Sequence, residues 1–158
     1  MKNGLYRKLS VKPEGNVSDR FFLLDEKGNS IVGFGDYPYR DEKEKRVSGI
    51  IRGEIYQGRL ASNNRGTRFV QAVLKSKIMV FYEKEKEGWK CIKENLESFP
   101  ACNYNSPAMD AETPLGYLDV CATDSHVYAL YSGRITGMTE MPLSSGKRWK
   151  CTDGTAHW

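Results

Sequence analysis

Asp124-Ser125-His126 brings together the three residue types of an acyl-transfer triad. Such a triad works only when the three side chains converge within hydrogen-bond reach of one another. Here they are consecutive, and the Thr123-Asp124-Ser125 stretch separates two apolar runs. Neighbouring turn residues seldom point at one spot, and Asp and Ser favour turns because they bond the backbone. The turn reading is favoured, and no catalytic residue is assigned. Other sets fare no better. Glu83, Glu85 and Glu87 alternate with lysines, so their carboxylates are expected to be solvated. Gly33-Phe34-Gly35 is followed by no Gly-Lys-Ser/Thr and no helix start, so it is not a phosphate loop. Residues 25–29 are too short for a calcium loop. The cysteines Cys91, Cys102, Cys121 and Cys151 form no C-x-x-C pair, and His126 and His157 are the only histidines. No metal and no cofactor is therefore expected. Cys91 and Cys121 fall inside apolar strand patterns, where a cysteine usually serves as a small buried hydrophobe. Tyr131 and Arg134 are the candidate binding-face residues, because they stand at a strand end and Arg pairs well with carboxylates. An Arg that ties down a loop through carbonyls is an equal alternative.

Those residues must be positioned by strands. The chain has 158 residues and a net charge of +4, and its basic residues alternate with acidic ones, as in DEKEKR at 41–46. That pattern describes solvated turns and edges, not a nucleic-acid interface. No apolar run approaches the ~20 residues of a membrane helix. Residues 1–15 carry no apolar core of a secretory signal, so the chain as written is expected to stay in the cytoplasm unless its true start is missing.

A unit of apolar strand, polar turn and apolar strand comes round three times, at residues 20–34, 67–83 and 116–134. Residues 5–11 alternate weakly and read as a further strand. Residues 20–34 read as a hairpin closed by Glu26-Lys27-Gly28-Asn29, since Gly and Asn accept positive φ. Residues 41–49 read as one short surface helix with Asp41 as its cap. Residues 55–94 read as four antiparallel strands, 55–62, 67–74, 77–83 and 89–93. In the second, Phe69, Gln71 and Val73 oppose Val70, Ala72 and Leu74; in the third, Ile78, Val80 and Tyr82 oppose Met79 and Phe81. Residues 95–115 read as a long connection, and 116–122 with 126–131 restart the pattern. The stripe Val127, Ala129, Tyr131 reads as core between sheets.

The segments FFLLDEKGNSIVGFGDYP, IYQGRLASNNRGTRFVQA and GYLDVCATDSHVYALYSGR resemble the TolB-like six-bladed β-propeller family of Bacteroides and relatives. The last is the most specific, with its Gly-Tyr-x-Asp-Val start, Thr-Asp turn and Val-Tyr-Ala-Leu-Tyr-Ser-Gly-Arg. The resemblance implies an all-β fold of antiparallel four-stranded blades, incomplete at two to three blades, with pieces at 4–38, 55–94 and 116–134. The family's members mostly have no assigned activity, so function is read separately: with no catalytic set in the chain, a non-catalytic binding or interaction module with an unknown protein, peptide or glycan partner is expected. The alternative is a piece of a propeller hydrolase or lyase whose active residues lie in missing blades. Longer relatives would be periplasmic or lipoprotein-anchored, and exposed sheet faces would promote self-association. Residues 135–158 depart from the family pattern. Back-translation from Met138 in a frame moved by two bases permits DGNAAFEWEKMEVYRWDGT, so a shifted reading frame is expected there, against the alternative of a divergent loop.

Overall fold

The computed structural model describes residues 19–86, 88–100, 113, 115–134 and the backbone of 156–157. Hydrogen bonding follows the apolar alternation. β1 (Phe21–Leu24) pairs antiparallel with β2 (Ser30–Phe34). The turn between them is an Asx arrangement: the Asp25 carboxylate accepts the backbone N–H of Lys27 and Asn29, at 2.9 and 2.8 Å. Gly28 supplies the positive φ, +86°. The hairpin expected at 20–34 is therefore present.

The second sheet runs β3 (Gly58–Ser62), β4 (Arg68–Val73), β5 (Lys77–Glu85) and β6 (Gly88–Ser98), each strand paired with its sequence neighbour. Its two central strands are buried on both faces. Phe69, Val73, Ile78, Val80 and Tyr82 join one core with Phe21, Tyr37, Ile55 and Tyr56. Val70, Ala72, Met79 and Phe81 join another with Tyr117, Val120 and Val127. The alternation read from the sequence thus assigns β4 and β5 residues to the correct faces. The third sheet is β7 (Tyr117–Ala122), β8 (His126–Tyr131) and β9 (Ala156–His157), in that order. The three sheets are layered in chain order, with the four-stranded one in the middle. In the first core Phe69 and Tyr82 stack at 4.7 Å, and Phe21 meets both edge-on at 5.4 and 5.3 Å. Each ring pair adds about 1 kcal/mol. Removing each large side chain from water contributes about 1.5–3 kcal/mol, so apolar burial is the larger effect.

Four expectations are corrected. There are two short helices, not one: α1 (Glu42–Lys45) and α2 (Gly49–Ile55). Asp41 caps α1 as expected, accepting from the N–H of Lys43 and Glu44. α2 occupies residues read partly as a strand beginning at 55. Ser48 caps it by accepting from Ile51 N–H, and the i,i+4 pair Ile51 and Ile55 packs into the first core. Two glycines and three isoleucines in seven residues disguise this helix, because neither type favours one. The last strand of the middle sheet is also longer than 89–93. β6 runs to Ser98, paired along β5 through two register shifts that upset the period-2 pattern. Cys91 and Cys121 are exposed thiols, not buried ones. Cys91 lies on the edge strand β6, and Cys121 lies on the side of β7 facing away from the middle sheet. Finally, the strand pattern does not end at Arg134, since Ala156–His157 pairs with Val127 and His126. The strand expected at 5–11, Cys102, Cys151 and most of the proposed shifted-frame stretch lie outside the described residues.

Candidate functional site

Tyr131 and Arg134 lie at the open end of the β7–β8 hairpin. Backbone bonds tie this end together: Ser132 N–H donates to Gly116 O at 2.9 Å, and Leu115 N–H donates to Arg134 O at 2.6 Å. Arg134 is exposed. Tyr131 is half-buried and meets Tyr117 edge-on at 5.5 Å. The Lys77 ammonium stands 5.6 Å from the Tyr131 ring and pairs with Glu97, and the Glu97 hydrogen bond raises the Lys77 pKa. Burial pushes the Tyr117 hydroxyl up to about 12. Tyr131 therefore belongs partly to the inter-sheet core, as the stripe reading expected, and offers one edge to the surface. The arrangement presents an aromatic edge, the Lys77–Glu97 pair and the exposed Arg134 side by side.

The Asp124-Ser125-His126 turn is held by the Thr123 hydroxyl and by a backbone bond, from Thr123 N–H to His126 O at 2.8 Å. Thr123 Oγ1 accepts from His126 N–H at 3.0 Å, and Ser125 Oγ is 2.8 Å from His126 Nδ1. The Asp124 carboxylate turns to Arg65, accepting its backbone N–H at 3.3 Å and standing 3.7 Å from Nε. Asp124 thus links the β7–β8 turn to the β3–β4 turn.

A second cluster escaped the sequence reading. Arg20, one residue before β1, is 1% exposed. Its Cζ lies 5.4, 5.6 and 5.8 Å from the ring centroids of Phe21, Tyr37 and Tyr56. Arg52 of α2 reaches the same Tyr37 ring at 5.1 Å. Glu44 of α1 is also 1% exposed; it accepts from the Tyr56 hydroxyl and, at 2.6 Å, from Arg40 N–H. The run at 41–46 is therefore not a wholly solvated face, because its central carboxylate points inward. Loss of water pushes the Arg20 guanidinium below its ordinary pKa, and burial pushes the Tyr37 hydroxyl up. A charged residue directly before Phe-Phe-Leu-Leu was the available signal. Sequence periodicity cannot tell whether such a residue ends in water or under a neighbouring layer.

Among the described residues no group of three or more His, Cys, Asp or Glu side chains could hold a metal ion. No helix among them is long and apolar enough to cross a membrane. No protein-family model, no curated protein and no solved structure matches this chain.

Proposed function

We propose that the chain is a non-catalytic binding module, part of a TolB-like six-bladed β-propeller that presents loops to a protein, peptide or glycan partner. The observation that carries this reading is the layering of three antiparallel sheets in chain order, the middle one buried on both faces. Propeller blades bury one another in this way. The loop end carrying Tyr131 and Arg134 is the proposed contact face.

The test is a screen of the purified chain on peptide and glycan arrays, beside a panel of ester, phosphoester and glycoside substrates. Specific binding that drops at least tenfold in Arg134→Ala or Tyr131→Ala, with no turnover, supports the reading. Turnover by the wild-type chain sinks it. For the propeller part, the genomic DNA is decisive. Flanking sequence encoding further four-stranded units supports it, and flanks without such units oppose it.

A further inference from the structure

The chain has two histidines, and the third sheet sets them opposite each other. His126 of β8 is in register with His157 of β9, beside the pair Val127 and Ala156. The backbone of His126 faces the other way. Its carbonyl accepts from Thr123 N–H at 2.8 Å, and its own N–H donates to Thr123 Oγ1 at 3.0 Å, both on the β7 side. A strand residue aims its N–H and C=O to one side, so His126 and His157 form a non-hydrogen-bonded pair. In such pairs the Cα atoms stand about 4.5 Å apart and the side chains come closest.

The face follows from the strand period. Val127 is buried against the middle sheet, so His126 and its register partner take the outer face. The Tyr128 ring shares that face and lies 6.2 Å from the His126 ring, tilted by 30°. Ser125 Oγ stands 2.8 Å from His126 Nδ1. A hydroxyl that accepts from Nδ1–H selects the tautomer whose Nε2 carries the lone pair, as in metal-bound imidazoles. Imidazole suits zinc, nickel and copper. Zinc holds each ligand nitrogen about 2.0–2.1 Å away, so two of them stand roughly 3.3 Å apart on a tetrahedral ion. Two imidazoles whose Cβ atoms are about 5 Å apart span that distance.

We propose that His126 and His157 together bind one divalent transition-metal ion, of which zinc is the representative, on the outer face of the third sheet. Nε2 of His126 is the ligating atom on β8. Water fills the remaining positions, so the ion is held less tightly than in a closed site of four protein ligands. The ion clips β9 onto β8, joining two segments far apart in sequence. The site is independent of the propeller reading and of Tyr131 and Arg134, and no ligand-spacing motif reveals it, because register alone brings its members together.

The experiment is calorimetric titration of the full chain with zinc sulfate in the presence of a non-thiol reductant, followed by thermal melting. The expected result is saturable binding with a matching rise in Tm. His126→Gln and His157→Gln should each weaken binding at least roughly tenfold. The double variant should lose little more than either single one, because each change breaks the same chelate. If His126→Gln does not fold, His157→Gln, on the two-residue strand β9, carries the test. Zinc held instead by the thiols of Cys91 or Cys121 would bind the histidine variants as it binds the wild type, and that result overturns the proposal. A wild-type chain that takes up no zinc overturns it as well.

Discussion

Gly116 and Ser76 approach so closely that a Cβ added to Gly116 would overlap the Ser76 carbonyl oxygen. The Val73 carbonyl crowds the same point, and Gly116 N–H donates to Leu74 O at 2.7 Å. The third sheet thus enters against the β4–β5 turn through a backbone contact that only glycine permits. Because backbone cannot swing aside as a side chain can, Gly116→Ala should cost about 3 kcal/mol. Urea unfolding would measure it. A loss under about 1 kcal/mol would mean that the two layers are not seated this closely.

The Tyr56 hydroxyl donates to buried Glu44, joining α1 to the segment after α2. Tyr56→Phe leaves the carboxylate short of one donor and should cost about 2 kcal/mol. A double-mutant cycle with Glu44→Gln should return a coupling energy of at least about 1 kcal/mol. Additive losses would show that the pair does not interact.

Burial pushes the Tyr82 and Tyr117 hydroxyls up to about 12. In the unfolded chain they ionise near 10. Between these values the unfolded state has released protons that the folded state still holds, so stability falls as pH rises from about 10 to about 12. Below pH 10 these two groups add no slope. Melting temperatures across that range should decline, less steeply in Tyr82→Phe. Absorbance at 295 nm should show Tyr82 and Tyr117 titrating late, with Tyr37 also displaced upward by burial. A flat Tm above pH 10 would contradict the burial of these rings.

Leu118, Tyr128 and Leu130 are each 49% exposed on β7 and β8, with exposed Cys121 paired opposite Tyr128. Apolar side chains grouped on one hairpin promote association. Light scattering after size exclusion should show mass rising with concentration under reducing conditions. The triple substitution Leu118→Ser, Tyr128→Ser and Leu130→Ser should lower it. A wild-type chain that is monomeric at every concentration would rule this out.

How much of this the sequence disclosed varies by element. β8 was legible in full at 126–131, because its alternation is clean and Thr123-Asp124-Ser125 breaks it sharply. Tyr131 closes β8 and Arg134 follows three residues beyond it, whereas the Arg20–Arg52 cluster leaves no mark in the sequence. Its members come from β1's leading residue and from α2, far apart in sequence and joined only by packing on Tyr37.

By itself, the sequence determined the antiparallel sheets, the turn at Gly28 and the opposite faces of β4 and β5. These follow from local backbone preference and the two-residue period of a strand. Tertiary structure alone decided that 49–55 coils rather than extends, that Arg20 and Glu44 are buried, and that Cys91 and Cys121 are exposed. Ile51 and Ile55 gain more from packing into the first core than their weak helix preference costs. Burial of the others depends on which layer covers which, and no local pattern records that. The repeated strand–turn–strand unit marked where sheets would form, and the layering determined which charges they enclose.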